Sequence, residues 1–223
     1  MERGINNIFG VICNHYMFRG VMMERPLVDM KIKNGKNIKI QLYPDKAPEA
    51  VKNFIMLAEK GFFNGLFFWR VEKGVLIQSG CPDNDGTGTL GYSIKSECKE
   101  NGVNNDLKFI KGTLGLGRFE LNTECSEFFI TVINSPQLDE KFTAFGRVID
   151  GMDEVERISN VQCEKIIFFH KAIEKVYIEK ITINTFGKKY GMPEKLPGFT
   201  KEEMIKKNYE IINQRSKNGI KLV

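Results

Sequence analysis

The stretch Phe67-Phe68-Trp69-Arg70-Val71-Glu72-Lys73-Gly74-Val75-Leu76-Ile77-Gln78-Ser79-Gly80 decides how the chain folds. Leu66 to Val71 and Val75 to Ser79 are short apolar runs and read as two strands. Upstream, Leu27 to Lys33 and Asn37 to Tyr43 alternate apolar and polar, with Ile38, Ile40 and Leu42 on one face. Asn34-Gly35 between them predicts a tight hairpin, since both residues tolerate positive φ. A helix follows. Pro48 suits its first turn, Val51, Phe54, Ile55 and Ala58 form one apolar stripe, and Gly61 stops it. Downstream, Gly112 to Gly117, Glu127 to Ile133 and Ala144 to Ile149 predict three more strands. Gly151 to Asn160 predicts a short helix. Val176, Ile178, Ile181 and Ile183 predict a late strand, and its change of phase near Glu179-Lys180 predicts a bulge. Many strands and few helices imply a mainly β protein, a closed or nearly closed antiparallel barrel with helices at its ends.

The chain has 223 residues, enough for one domain with extensions. Its 42% apolar and 27% charged residues suit a globular protein and exclude an acidic disordered one. No run reaches the roughly 18 apolar residues of a spanning helix, so no membrane partner is expected. Cys13, Cys81, Cys98, Cys125 and Cys163 are scattered, with no CxxC pair and only His15 and His170 to join them. That argues against a zinc site or a disulfide framework and fits a reducing cytoplasm. The first 25 residues lack the form of a secretory signal. Met22 and Met23 stand just before the first patterned strand and offer an alternative start.

Composition changes near Thr185. Residues 186–199 read as an extended linker along the domain surface. Thr200 and Glu203 then form a capping box for an amphipathic C-terminal helix, with Met204, Ile205, Asn208, Tyr209 and Ile212 along one face and a frayed end at 217–221. Residues 26–185 carry 21 basic and 22 acidic side chains, whereas 186–223 carry nine and four. The overall +5 is therefore a property of the tail, and the tail is where an acidic partner would bind. Binding of nucleic acid by the tail would fall steeply with salt and is not expected.

Three segments carry chemistry: the opening stretch, Ser126-Glu127-Phe128-Phe129-Ile130, and Gln137-Leu138-Asp139 through Phe145-Gly146-Arg147-Val148. In order and spacing they resemble the cyclophilins, a family of peptidyl-prolyl cis–trans isomerases. That family writes them F-H-R-I-x-x-x-F-x-x-Q-G-G-D, G-S-Q-F-F-I and L-D-x-x-x-x-x-F-G-x-V. Ala47 to Phe54 and Asp85-Gly86-Thr87-Gly88 are also similar to family signatures. The resemblance covers Pro26 to Thr185 and is strongest to bacterial members. It implies an eight-stranded antiparallel barrel capped by two helices, with the groove on the outer barrel face and no cofactor. Residues 1–25 and 186–223, with its C-terminal helix, are then extensions.

The chemistry needs neither metal nor nucleophile. Amide resonance sets the X-Pro rotation barrier at about 18–20 kcal/mol. A protein lowers it by holding the prolyl ring in an apolar cup and favouring the twisted amide over the planar one. The twisted nitrogen becomes a lone-pair acceptor, which a fixed cationic donor stabilises. The resemblance makes Arg70 that donor; otherwise it reads as a strand arginine in a salt bridge. It makes Gln78 the residue that binds substrate backbone and steadies the arginine. It makes Phe129 the cup floor, Leu76 and Leu138 its walls, and Phe142 a residue where the family often has His or Tyr. Phe129 and Leu76 also fit plain barrel core.

The departures carry information too. Val75 stands where the family has Phe, removing an aromatic wall. Glu127 replaces Gln, and pairing with Arg70 or Arg118 would hold Arg70 away or orient it. Trp69 replaces His, Ser79 and Cys81 replace Gly and Asp, and Gln137 replaces a Trp or His at the rim. Weak binding of the cyclic peptide cyclosporin is therefore expected. Arg118 offers either a substrate backbone contact or solvated charge. Asp153, Glu154 and Glu156 read as a solvated acidic face, Phe168, Phe169 and His170 as packing, and Cys125 as a thiol whose pKa the adjacent Glu124 raises. The expected function is a monomeric isomerase acting on proline-containing peptides and folding proteins. The alternative is a binding module that uses the same groove without turnover.

Overall fold

The computed structural model describes residues 17–18, 21–22, 24–166 and 169–217. The readings of Met23, Phe168 and 218–221, and the side chains of Asn208 and Ile212, lie outside the described residues. Strands β1 (Met17–Phe18) and β2 (Val21–Met22) pair with each other. The main sheet holds β3 (Leu27–Ile32), β4 (Ile38–Leu42), β5 (Arg70–Glu72), β6 (Leu76–Ser79), β8 (Thr113–Leu116), β9 (Phe128–Thr131), β10 (Ala144–Asp150), β11 (Cys163–Ile166), β12 (Phe169–Ala172) and β13 (Ile178–Asn184). All its pairings are antiparallel, in the order β11-β12-β5-β6-β9-β8-β10-β4-β3-β13.

Eight of these strands form a ring. The segment leading into β5 bonds to the segment leading into β13: the Phe68 N–H donates to Val176 O at 3.1 Å, the Ile178 N–H to Leu66 O at 2.8 Å, and Phe67 bridges Tyr177. The hairpin of β11 and β12 lies outside the ring, on the free side of β5. β13 carries a register shift between Ile178 and Lys180, where the phase change predicted a bulge.

Helices α1 (Pro48–Glu59) and α2 (Met152–Ser159) cover the barrel. Val51, Phe54, Ile55 and Ala58 are buried. Phe54 meets Phe63, Phe128 and Phe145 at ring separations of 4.9, 5.6 and 5.5 Å. Ala47 has no side chain to cap α1. Instead Glu97, far along the chain, accepts the Glu49 and Ala50 N–H groups at 3.0 and 2.8 Å. A carboxylate there satisfies orphan donors and meets the positive end of the helix.

Two local expectations are corrected. The Asn34-Gly35 hairpin is a longer loop whose turn is centred on Lys33-Asn34, closed by the Gly35 N–H to Ile32 O at 3.1 Å. Asn34 takes the positive φ of 58°, and a Cβ on Gly35 would lie 2.1 Å from Glu154 Oε1, so a side chain there would push that carboxylate off Arg157. Glu154 is accordingly not part of a solvated face. It is 3% exposed and bonded to Arg157 at 2.7 and 3.0 Å.

Between 186 and 207 the chain touches the barrel at several points. β14 (Leu196–Pro197) pairs with β7 (Tyr92–Ser93), and the Glu194 N–H donates to Glu49 Oε2 at 2.6 Å. α3 (Lys201–Lys217) starts at Thr200 with both capping-box bonds, 2.8 and 3.2 Å. Lys201 meets Asp83 and Lys207 meets Glu120, each at 2.5 Å, so barrel carboxylates already neutralise part of the tail. No helix among the described residues is long and apolar enough to cross a membrane.

Candidate active site

Strand alternation sorts the decisive stretch onto two faces. Val71, Ile77, Phe128 and Ile130 join the main core. Arg70, Leu76, Gln78 and Phe129, their neighbours in sequence, therefore point to the outer face. Register then aligns them. Lys171 pairs with Arg70, Arg70 with Gln78, Gln78 with Phe129, Phe129 with Gly115, and Gly115 with Ala144. One transverse row thus crosses six strands, with a cation at one end and an apolar cup at the other.

The cup is a separate cluster of Phe109, Phe129 and Ala144, walled by Leu76, Leu107, Leu138 and Phe142. Phe109 stacks on Phe129 at 5.5 Å, and Phe142 meets Phe129 edge-on at 6.0 Å. Gly115 makes room for the stack, because a Cβ there would lie 2.6 Å from Phe109 and 2.7 Å from Phe129. Gly115→Ala is expected to cost about 1–3 kcal/mol by overpacking and to weaken peptide binding. A thermal melt with a peptide titration checks both, and an unchanged melt would count against the stack.

Leu107 and Phe109 come from a loop without periodicity and were not foreseen. Phe109 adds a further aromatic ring to the cup, stacked on Phe129. Val75 is half-buried in the turn just before β6, its carbonyl accepting the Val132 N–H at 2.7 Å. Gln137 is exposed in the short 3-10 turn Pro136–Leu138, while Leu138 reaches the cup.

Arg70 is held at two nitrogens. Its Nε donates to Glu72 Oε1 at 3.0 Å and its NH1 to Gln78 Oε1 at 3.1 Å. Gln78 in turn donates from Nε2 to Glu127 Oε2 at 2.6 Å. Glu127 therefore pairs with neither arginine directly; Gln78 stands between it and Arg70. Burial pushes the Glu127 carboxyl up to about 7, against the pull of the Gln78 hydrogen bond and the Arg70 charge. Ionised Glu127 accepts from Gln78 and so turns Gln78 Oε1 toward Arg70. Protonated, it no longer fixes that orientation. kcat/KM is expected to rise about fivefold as pH passes through about 7, about 1 kcal/mol, the net worth of one ordinary hydrogen bond. Glu127→Gln should flatten that step, and a step that survives in the variant would assign it elsewhere.

Arg118 is not a solvated charge. It is 9% exposed, its NH2 bonded to Glu100 at 2.7 Å and to the Lys141 carbonyl at 2.5 Å. Its guanidinium lies 5.0 Å over the Phe142 ring, bracing that wall. Cys125 is pushed up to about 11, but by burial rather than by Glu124. Burial and the Glu127 charge also raise the Cys81 thiol. Both stay protonated at neutral pH and are poor nucleophiles. Phe169 packs edge-on against Trp69 at 5.5 Å. His170 does more than pack, since its Nδ1 lies 2.7 Å from Glu72 Oε2.

The molecule is thus an antiparallel barrel with an apolar cup on its outer face beside an anchored guanidinium. The family model for cyclophilin type peptidyl-prolyl cis-trans isomerases matches residues 27–185, and the chain belongs to that family. A peptidyl-prolyl cis-trans isomerase of Rhizopus delemar is 38% identical over 148 residues, 66% of this chain. The match spans only 23% of that relative's own length. Peptidyl-prolyl cis-trans isomerase B of Bacillus subtilis is also 38% identical, over 58% of this chain and 87% of its own. The crystal structure of a Cryptosporidium parvum cyclophilin type isomerase in the presence of the dipeptide Ala-Pro has a TM-score of 0.63 at 30% identity. It covers 71% of this chain and 98% of that one.

Proposed function

We propose that this groove isomerises X-Pro bonds, with Arg70 as the donor to the prolyl nitrogen. The transverse row carries the reading: Gln78 binds the Arg70 guanidinium at 3.1 Å and pairs across the sheet with Phe129, the cup floor. The prolyl ring fills the cup of Phe129, Leu76, Leu138 and Phe142. Ring burial holds the residue while the amide turns. As the amide twists, resonance is lost and the nitrogen lone pair localises. A guanidinium N–H beside it then forms a hydrogen bond that the planar amide cannot accept. Such a contact lowers the barrier because it exists only in the twisted state. Gln78 also meets substrate backbone, while Arg118 acts from behind by bracing Phe142. The Ala-Pro dipeptide of the Cryptosporidium relative's crystals supports proline-containing peptides as ligands.

The catalytic unit is the domain 26–185, with 186–223 a basic extension laid on its surface. The protein works as a monomer on peptides and folding proteins. Exposed Gln137 at the rim gives cyclosporin only a weak hold. Among the described residues, four free cysteines support a reducing compartment, the cytoplasm. A protease-coupled assay on X-Pro tetrapeptides tests the function. The uncatalysed exchange takes roughly tens of seconds, and the protein is expected to shorten it in proportion to its concentration. No acceleration at micromolar protein would leave the groove as a binding module.

A further inference from the structure

We propose that His170 is a positioning residue, which acts through Glu72 to fix the guanidinium of Arg70 at the mouth of the cup. This rests on the reading of Arg70 as the donor. Arg70 and Glu72 are two apart on β5 and so share a face. β12 runs antiparallel beside them with its Lys171 opposite Arg70, and from there the His170 ring and backbone N–H both reach the Glu72 carboxylate.

The Glu72 side chain is 12% exposed and takes three donors. Oε1 accepts from Arg70 Nε at 3.0 Å and from the His170 backbone N–H at 3.2 Å. Oε2 lies 2.7 Å from His170 Nδ1. An ionised carboxylate only accepts, so Nδ1 carries the proton in this contact. Burial works to raise the Glu72 carboxyl, but the His170 hydrogen bond and the Arg70 charge outweigh it and hold it below its ordinary value. Glu72 is therefore kept as an oriented anion, clamped by the imidazole on one oxygen and facing Arg70 with the other. With Gln78 on NH1, the guanidinium plane is set from two sides, and its remaining N–H groups can address the substrate. Without the imidazole, Oε2 loses its side-chain donor, the carboxylate turns toward water, and the Nε anchor slackens.

His170→Ala is expected to lower kcat about tenfold with KM little changed, as a loss of alignment does. His170→Asn, whose amide N–H can reach the same oxygen, should recover most of that loss. In an Arg70→Ala background, His170→Ala should cost nothing further. Trp69 is the sole tryptophan and touches Phe169, so its emission reports whether the β11–β12 hairpin stays docked. Wild-type kcat in His170→Ala with unchanged emission would overturn the proposal. So would an equal loss in the Arg70→Ala background, which marks a purely structural role. If emission shows an undocked hairpin, Glu72→Gln decides: a loss of similar size is expected, and a wild-type rate overturns the clamp. Arg70→Ala at wild-type rate would instead overturn the reading of Arg70 itself, a result seen separately in the same series.

Discussion

Arg70→Ala is expected to lower kcat/KM toward X-Pro peptides by about 10²–10³-fold, the usual loss when one preorganised transition-state donor is removed. Peptide affinity should change little, because the cup of Phe129, Leu76, Leu138 and Phe142 does not depend on the arginine. Folding should survive as well, since the Arg70 side chain is 26% exposed and its loss leaves Gln78 still bonded to Glu127. Steady-state kinetics with a binding titration separates the two terms. A comparable loss of affinity would mean that the arginine grips the ground state as tightly as the twisted one.

The second large effect is on stability. Glu124 is wholly buried, and burial pushes its carboxyl up to about 8 despite hydrogen bonds from Thr143 at 2.8 and 2.9 Å and the charge of Arg118. The folded state therefore keeps the proton at pH values where the unfolded chain, at its ordinary 4.5, has lost it. The stabilisation is fully present below pH 4.5 and is lost as pH rises toward 8. Between pH 5.5 and 8.5 wild type should lose on the order of 3 kcal/mol. For a chain of this size that is a drop in Tm of roughly 6–12 °C. Glu127, raised in the same direction, adds to the slope. Glu124→Gln keeps the volume and removes the titration, so its melt should fall by less than half as much. Parallel pH profiles for the two proteins would contradict the assignment.

Much of the barrel was readable because alternation and turn residues act locally. The stripe of Val51, Phe54, Ile55 and Ala58 and the bulge at Glu179-Lys180 depend on residues a few positions apart. Arg70, Gln78, Phe129, Leu76, Leu138 and Phe142 come from the resemblance to the cyclophilins, and the structure brings them to one face. What escaped depends on contacts between segments distant in the chain. Phe109 enters the cup only because Gly115 leaves it room, and nothing in the loop before Gly112 signals that. Glu72 and His170 are 98 residues apart and meet through the pairing of β12 with β5. Glu154 reads as solvated charge, and Arg118 as solvated charge or a substrate backbone contact, because charge is visible in a sequence and burial is not. Their partners, Glu100, the Lys141 carbonyl and Arg157, explain how the fold tolerates them.

Exchange NMR on an Ala-Pro-containing tetrapeptide reads the central claim most directly, because it reports binding and turnover on the same molecule. Wild-type protein at catalytic concentration should produce cis–trans exchange peaks within a mixing time where the free peptide shows none. Arg70→Ala should still shift the peptide resonances without producing those peaks. Resonance shifts with no exchange in wild type would contradict the account and leave the groove a proline-peptide binder.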